Sequence, residues 1–279
     1  MIFGLDSAEK WKLRISVSQT VARPTMRETA PFSSFQFIGG PIYVGNPSLR
    51  RTLITNLDAR LEYYPRRGEN ITLAAYRKFF EDPIAMMYIE EAANDEITWN
   101  NVPSATLYGA EFEFRKRLDF IHSSLTNFDF NTNASYIISE MDGHFVDSLS
   151  VTRSFIGQSD YLVNFGLGYK NDKKGLSLNL SGNIFTDRLN AINRSRFTDQ
   201  EQKGQFQLNF VAIKKVNDFM TLNFNVRNIL GVDDVVSANY GAVDNYPYSS
   251  LNRARTYSLS LKFDLMQRPA VKNKETVEY

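Results

Sequence analysis

The sequence predicts an all-β fold, a transmembrane antiparallel up-and-down β-barrel of about ten strands. Two observations lead to this prediction. Ten segments alternate apolar with polar residues, and the connectors between them alternate strictly between short and long. Tight turns at one end and extended loops at the other are the layout of outer-membrane barrels. The short connectors would then face the periplasm and the long ones the outside.

The connectors give the layout in chain order. The short ones lie near residues 65–69, 119–124, 171–174 and 215–218. The long ones run at about residues 23–51, 81–104, 139–160, 187–203 and 231–254. A soluble β-sandwich has no reason to sort its connectors by length in this way. With an even number of strands, both ends of the predicted barrel lie on the periplasmic side.

The alternation can be followed through each segment. The ten segments cover approximately residues 11–18, 53–63, 71–79, 108–115, 127–136, 161–169, 176–184, 205–210, 220–227 and 257–265. In the last one, Leu259 and Leu261 alternate with Ser258 and Ser260. The contrast is weakest in residues 71–79, where two adjacent alanines blur it. The period of two favours strands with one apolar and one polar face.

Segment length and aromatic placement favour a membrane barrel over a soluble sheet. Strands in soluble proteins average about five or six residues, whereas tilted membrane strands need roughly 9 to 11. Tyrosine and phenylalanine cluster near segment ends, as at Tyr63, Phe79, Tyr136, Tyr161 and Tyr257. Interfacial girdles of a barrel lie at such positions. Ordinary core filling is the alternative interpretation of these aromatics.

Composition excludes several other classes of protein. The 279 residues carry a formal net charge of +1, so no global basic field indicates nucleic-acid binding. Cysteine is absent, which removes disulfides, thiolate catalysis and cysteine-ligated metals. No apolar run approaches the roughly 18 to 20 residues of a membrane helix. The mean hydropathy of −0.34 resembles that of a soluble protein, but lipid-facing residues of a barrel occupy only alternate positions.

No catalytic, metal-binding or cofactor-binding residue is predicted. His122 and His144 lie in a short turn and a long loop without a second ligand at metal spacing. The nucleophile-elbow, phosphate-loop and dinucleotide motifs are missing from the sequence. Carboxylates on the polar faces alternate with Arg60 and Arg115, which is typical of a solvated, salt-bridged lumen wall. The chain is therefore predicted not to be an enzyme.

Five aromatic residues in the long loops are candidate ligand contacts. Tyr88 and Trp99 lie in the second long loop, and Tyr240, Tyr246 and Tyr248 lie in the fifth. Aromatic rings at an extracellular mouth can stack on a small molecule or an oligosaccharide. A solvated loop without a binding role is the alternative.

Several stretches, taken in order, resemble one known family. They are Ser18-Gln19-Thr20-Val21-Ala22-Arg23-Pro24, Gly45-Asn46-Pro47-Ser48-Leu49, Glu62-Tyr63-Tyr64-Pro65, Tyr108-Gly109-Ala110-Glu111-Phe112-Glu113 and Asn225-Val226-Arg227-Asn228-Ile229-Leu230-Gly231. This ordered set resembles the C-terminal barrel portion of TonB-dependent outer-membrane receptors of the Bacteroidetes type. Each stretch alone is weak, but together they span nearly the whole chain.

The resemblance implies an outer-membrane receptor that takes up a scarce ligand, such as a siderophore or a glycan. It also implies a larger barrel of about 22 strands and an N-terminal plug, absent from this chain, through which TonB acts. Residues 1–265 would be the barrel segment and residues 266–279 a polar tail. The implied partners are outer-membrane lipid and the barrel-assembly machinery. A self-contained ten-stranded pore or adhesin remains the rival interpretation.

Overall fold

The computed structural model describes residues 2–4, 10–35, 40–89, 96–146, 149–192, 199–240 and 243–264. These residues are nearly all in strands. The strands are β1 (Ile2–Gly4), β2 (Trp11–Ala22), β3 (Ser33–Phe35), β4 (Ile42–Val44), β5 (Thr52–Tyr63), β6 (Asn70–Glu81), β7 (Ile84–Tyr88), β8 (Glu96–Asn101), β9 (Ser104–Arg117), β10 (Phe128–Val146), β11 (Leu149–Arg153), β12 (Tyr161–Asn171), β13 (Leu176–Phe185), β14 (Arg188–Ala191), β15 (Gln200–Gln202), β16 (Gln205–Lys215), β17 (Met220–Arg227), β18 (Asp234–Tyr240), β19 (Val243–Leu251) and β20 (Thr256–Phe263).

Helices are short. The α-helix α1 covers Met26–Thr29, and two 3₁₀ turns cover Leu118–Phe120 and Ser123–Leu125. Thr25 caps α1 in a capping box, because its side chain accepts from the Glu28 backbone and the Glu28 carboxylate accepts from the Thr25 backbone. No helix among the described residues is long and apolar enough to span a membrane.

Twelve strands form one antiparallel sheet. Its order is β1-β2-β5-β6-β9-β10-β12-β13-β16-β17-β20, with β11 paired to β10 beside this path. β1 and β11 are short pieces of three and five residues. The other ten are called the wall strands, namely β2, β5, β6, β9, β10, β12, β13, β16, β17 and β20. Their positions confirm the predicted all-β, up-and-down fold, although β10 extends well beyond its predicted end.

Register gives the wall one apolar and one polar face. Leu180 of β13 lies opposite Leu167 of β12 and Phe210 of β16, while Asn183 lies opposite Asn164. A slip of one residue would send every apolar side chain to the opposite face, so the register is strongly specified. The predicted alternation therefore extends across neighbouring strands as two continuous surfaces.

The polar face is the concave one. In β6, the odd-numbered positions from 73 to 81 are exposed, whereas the even-numbered positions from 72 to 80 are buried or half-buried. Arg60 of β5 also reaches Glu113 of β9 at 3.0 Å, across the intervening strand. Side chains crowd together on the inside of a curved sheet and spread apart on its outside. The polar face thus lines the lumen, and the apolar face is the lipid-facing side.

Aromatic pairs mark both margins of the lipid-facing side. Near the short turns, the rings of Trp11 and Tyr63 stack with centroids 4.3 Å apart. Near the long loops, the rings of Tyr136 and Tyr161 stack at 4.7 Å. Both pairs join adjacent wall strands, as a girdle at a membrane interface requires.

Ion pairs brace the short turns. Arg66 binds both carboxylate oxygens of Asp119 in the next turn, at 2.9 and 3.1 Å. Glu69, whose side chain is 1% exposed, lies 3.4 Å from the Arg66 guanidinium and 3.8 Å from that of Arg117. Hydrogen bonding to Arg66 lowers the pKa of Asp119 below its ordinary value. Two separate turns are thereby held together at the lower rim.

The wall is open at both edges across the described residues. β20 pairs with β17 alone, and β2 pairs with β5 and, over three residues, with β1. The described strands contain no pairing between β2 and β20, which a self-contained ten-stranded barrel would need. Backbone groups left unpaired in hydrocarbon cost several kcal/mol each, so each edge requires a strand partner in a membrane. The predicted tail, residues 266–279, lies outside the described residues.

Candidate functional site

The long loops form two small sheets at one end of the wall. Loop one (residues 23–51) and loop two (82–103) share the order β3-β4-β8-β7, in which β4 and β8 are parallel. Loop four (186–204) and loop five (228–255) share the order β14-β15-β18-β19. The loops therefore pair with one another instead of standing separately.

Bridges connect these two sheets with each other and with loop three (137–160). Met87 of loop two pairs with Ile192 of loop four, and Ser159 of loop three pairs with Arg188 of loop four. All five long loops are thus linked by backbone contacts, with loop four at the centre. This connected assembly is called the loop layer.

A buried apolar cluster holds the loop layer to the upper ends of the wall strands. The side chains of Ile192 and Met141 are 0% and 1% exposed. Phe80 and Phe155 pack against the cluster in an edge-to-face contact, with centroids 5.0 Å apart. The buried members are Ala85, Met87, Val102, Ala105, Met141 and Ile192. The loop layer thus has a hydrophobic core of its own.

Amide side chains form a polar chain from loop two to loop five. Gln200 donates to the Tyr88 hydroxyl at 3.2 Å. Gln202 and Gln205 both donate to Oδ1 of Asp234, the latter at 3.1 Å. These contacts fix the side chains of loop four against those of its neighbours. They also place several amide groups at the entrance to the lumen.

A charged clamp closes the base of loop four. Asp187 accepts from the Gly204 backbone at 2.6 Å and from the Lys203 ammonium at 2.9 Å. Burial alone would raise the pKa of Asp187, but these two donors together lower it below its ordinary value. The hydrogen bond to Asp187 correspondingly raises the pKa of Lys203. The clamp joins the end of β13 to the start of β16.

A cavity of about 400 Å³ lies between loops three and four. Arg153 forms an ion pair with Asp199 at its edge. The lining also includes Gln158, Asp160 and Arg188. Groups of both signs and one amide therefore face a space large enough for part of a small ligand.

The lumen wall of β2 to β9 carries an ion-pair network. Glu62, which is 4% exposed, accepts from Arg14 at 3.0 Å and from Arg60 at 2.9 Å. Arg60 continues to Glu113 at 3.0 Å and passes over Ala74, where a larger side chain would obstruct it. A cavity of about 340 Å³ opens there, and its polar lining is Arg60, Thr72, Glu111, Glu113, Asn133, Ser135 and Asn164. This part of the lumen is built to pair with charged groups.

The lumen wall from β10 to β20 is mainly neutral. Asn164 donates to Asn133 at 2.8 Å, and Asn183 donates to Asn164 at 2.6 Å. Gly166 keeps the surface flat beside this ladder, since a Cβ there would lie 2.8 Å from the Asn131 amide. The same face continues through Asn179, Ser181, Gln205, Gln207, Asn209, Asn223, Asn225, Ser258 and Ser260. Amides and hydroxyls both donate and accept, so this half suits uncharged polar groups.

Trp99, a predicted ligand contact, lies inside the loop layer. It is 8% exposed, and its ring stacks on Tyr43 with centroids 5.8 Å apart. Arg27 of α1 covers the same Tyr43 ring at 4.1 Å. Burial of Trp99 stabilises the contact between loops one and two.

The four predicted tyrosines occupy different surroundings. Tyr88 is half-buried at the end of β7, while Tyr246 and Tyr248 on β19 are 54% and 39% exposed. Tyr240 ends β18, and its side chain lies outside the described residues. The structure brings Tyr88 to the amide chain of loop four and packs Trp99 against Tyr43, so these two aromatics make different contacts. Their contact with a ligand stays a prediction.

Sequence reasoning missed the centre of the lumen network. The alternation of charges on the polar faces does not single out Glu62, the carboxylate that joins Arg14 to Arg60. The available signal was the spacing of Arg60 and Glu62, which places opposite charges on one strand face. The role of Asp234 has no such local signal, because it accepts from Gln202 of β15 and Gln205 of β16 as well as from Arg253 of its own loop.

His122 Nδ1 lies 2.8 Å from the Ser124 hydroxyl in a short turn, and the side chain of His144 lies outside the described residues. Within the described part of the chain, no group of three or more His, Cys, Asp or Glu residues is placed to hold a metal ion.

Comparison with solved structures finds the same fold in larger receptors. A mutant of the ferric enterobactin receptor PfeA from Pseudomonas aeruginosa, in complex with enterobactin, has a TM-score of 0.63 at 16% identity, with 94% of this chain and 39% of that chain covered. The copper transporter OprC has a TM-score of 0.65 at 16% identity, covering 94% and 38%. The siderophore receptor PirA from Acinetobacter baumannii has a TM-score of 0.60 at 15% identity, covering 94% and 40%. The chain spans about two fifths of the length of the solved receptors it matches.

Family comparison agrees with the fold. The model of the family described as TonB dependent receptor-like, beta-barrel, matches residues 4–229. Comparison with curated proteins finds no match. The matched region includes nine of the ten wall strands and four of the five long loops. The chain therefore belongs to the TonB-dependent receptor β-barrel family of outer-membrane proteins, and its wall strands form part of such a barrel.

Proposed function

We propose that this chain supplies wall strands and extracellular loops to a receptor that takes up a scarce ligand across the outer membrane. A siderophore, a glycan or a similar small molecule is the proposed cargo. Energy would come from TonB through an N-terminal plug. Membership of the receptor family and the polar lumen face both support this proposal.

The loop layer is the observation that carries the proposal. Its five loops share strands, bridges and a buried cluster, so the aromatic and amide groups at the mouth have fixed positions. A preorganised site binds more tightly because less conformational entropy is lost on binding. A simple diffusion pore gains nothing from loops that are packed in this way.

The lumen wall supports a division of roles below the loop layer. The charged half around Glu62 and Arg60 suits a protein surface that carries charges of its own, such as the proposed plug. The half around Asn164 suits the passage of an uncharged polar ligand, because amides and hydroxyls that both donate and accept form most of its surface.

Uptake by a gene-deletion strain tests the proposal. The complete gene that encodes this chain is returned to the strain, and accumulation of labelled ferric siderophores and oligosaccharides is measured with and without TonB. One ligand class is expected to accumulate only in the strain that has both the gene and TonB. Equal accumulation without TonB would contradict the proposed energy coupling and would favour a pore.

Loop-layer variants localise the binding step. Ile192→Asp places a charge in the buried cluster and is expected to abolish ligand binding to whole cells. Leu251→Asp, at a side chain that is 62% exposed in β19, is the matched control and is expected to bind normally. If both variants bind the ligand like the wild type, the loop layer does not form the site.

A further inference from the structure

Arg77 is a charged residue within the apolar band of the lipid-facing side. Its position on β6 lies between Ala75 and Phe79 on that face. The other charged residues at described lipid-facing positions of the wall strands lie near strand ends or in the upper extension of β10. They are Glu81, Lys116, Glu140, Asp142 and Lys214. Arg77 is therefore the charge that the lipid itself must accommodate.

The level of Arg77 in the wall follows from strand geometry. Glu81, four residues further, ends β6 on the side of the long loops. At about 3.3 Å per residue and a tilt of roughly 40°, Arg77 lies about 10 Å below that end. It thus belongs to the outer-leaflet half of the wall. An ionisable side chain at such a position is costly without a partner, and the cost decreases toward the interface.

Among the described residues, Arg77 contacts an aromatic ring but no anion. Its guanidinium lies 5.2 Å from the centre of the Tyr108 ring, on the adjacent strand β9. The described residues include no carboxylate or other acceptor within hydrogen-bonding or ion-pairing distance of Arg77. Leu57, its neighbour on β5, is apolar and 50% exposed. The donors of the guanidinium therefore point to a partner outside the protein.

Next to Arg77, short side chains leave a shallow depression in the lipid-facing surface of the wall. Ala59, Ala75 and Ala110 lie side by side on three adjacent strands of the lipid-facing side. The exposed side chains of Leu73 and Phe112, at 56% and 37%, stand next to this row. An extended hydrocarbon chain fits along such a depression, with its head group near Arg77. The arginine is thus placed to bind the polar head group of an amphipathic molecule, and the depression is placed to hold its hydrocarbon chain.

We propose that Arg77 and Tyr108 bind the phosphate of a phosphorylated glycolipid of the outer leaflet, with an acyl chain over the alanine row. Guanidinium presents two parallel N–H donors that match a phosphate, and the Tyr108 ring, opposite Arg77 on β9, lies against the guanidinium. The lipid would supply the missing counter-charge. This site is separate from the proposed uptake route, because it lies on the opposite face of the wall.

Lipid retention by the purified protein tests the proposal. The complete protein is extracted from outer membranes in mild detergent, and bound phosphoglycolipid is counted by native mass spectrometry. Arg77→Gln is expected to reduce retention by roughly tenfold or more, because a charge-assisted contact is lost. Arg77→Lys, which keeps the charge but not the paired donors, is expected to retain an intermediate amount. Lys78→Gln, the next residue on the lumen face, is the matched control and is expected to retain lipid normally.

Competition identifies the part of the lipid that is recognised. Delipidated protein in phosphatidylcholine vesicles is offered lipid A or its dephosphorylated form. The phosphorylated lipid is expected to bind preferentially, and inorganic phosphate is not expected to displace it. Equal retention by wild type and Arg77→Gln, with both proteins folded by heat-modifiable mobility, would overturn the proposal. Equal binding of the dephosphorylated lipid, or displacement by inorganic phosphate, would overturn it as well.

Discussion

Apolar side chains are exposed on the wall but buried in the loop layer. On the wall, Leu259 and Leu73 are 67% and 56% exposed, whereas Ile192 and Met87 of the loop layer are 0% and 4% exposed. Apolar side chains of the wall contact the surrounding lipid, whereas those of the loop layer pack against one another. The wall is therefore stable only in a membrane, while the loop layer is built like a small water-soluble domain.

This difference separates the forces that stabilise the two regions. Hydrogen bonds between neighbouring strands satisfy the backbone N–H and C=O groups of the wall, which is necessary because lipid contains no water to bind them. The loop layer instead depends on removing apolar surface from water, together with amide contacts across loops. Substitutions in the two regions should be nearly additive wherever they are far apart and share no partners.

The largest effect is expected in the core of the loop layer. Ile192→Ala removes a fully buried side chain and should destabilise the loop layer by about 2–5 kcal/mol, since a cavity remains. Hydrogen exchange should show faster amide exchange in loops two and four, with unchanged protection in the wall strands. Leu251→Ala, at an exposed position of β19, is the control and should change little. Equal loss of protection in the wall would show that the two regions unfold as one unit.

A charge on the lipid-facing side should disturb the wall. Leu180→Arg, in the middle of β13, should cost about 2–4 kcal/mol because the charge enters hydrocarbon. Ser181→Arg points into the lumen opposite Gly166, and should cost far less because water solvates it there. Unfolding titrations of the two variants in lipid vesicles measure the difference. Similar costs for both would refute the assignment of the faces.

Removing one charge from the lumen network should have a smaller effect. Glu62→Gln removes the carboxylate that joins Arg14 to Arg60, leaves Arg60 with Glu113 alone, and should cost about 1–3 kcal/mol. Both arginines are about two-fifths exposed, which allows water to compensate in part. Glu111→Gln, on the same face and outside the ion pairs of the described residues, is the comparison and should cost less. Unfolding in vesicles at neutral pH gives both values.

Much of the wall could be predicted from the sequence because barrel strands follow a local rule. Alternation with a period of two and the sorting of connectors located all ten wall strands. The weak contrast at Ala74 and Ala75 now has a reason on each face. Ala74 leaves room for Arg60 to reach Glu113, and Ala75 belongs to the lipid-facing alanine row.

The loop layer could not be predicted in the same way because its pairing is not local. β4 pairs in parallel with β8 from another loop, and β15 pairs with β18 across more than thirty residues. Short strands of three or four residues carry too little alternation to be recognised. The burial of Trp99 likewise depends on Tyr43, a residue of a different loop. Such contacts arise only once the wall has placed the loop ends next to each other.

The smallest effect is expected from acidification of the clamp below loop four. The pKa of Asp187 is lower in the folded protein than in the unfolded chain, so its stabilisation is present above about pH 4 and is lost as pH falls through the folded value. The side chain is about half exposed, and solvent screening should limit the effect to less than about 1 kcal/mol. Exchange of the Gly204 amide should therefore accelerate in acid, once corrected for the intrinsic pH dependence of exchange. Asp187→Asn should remove this acid response, whereas Asp172→Asn in a periplasmic turn should preserve it. An unchanged response in Asp187→Asn would assign the titration to another group and leave the clamp without a role in the stability of the loop layer.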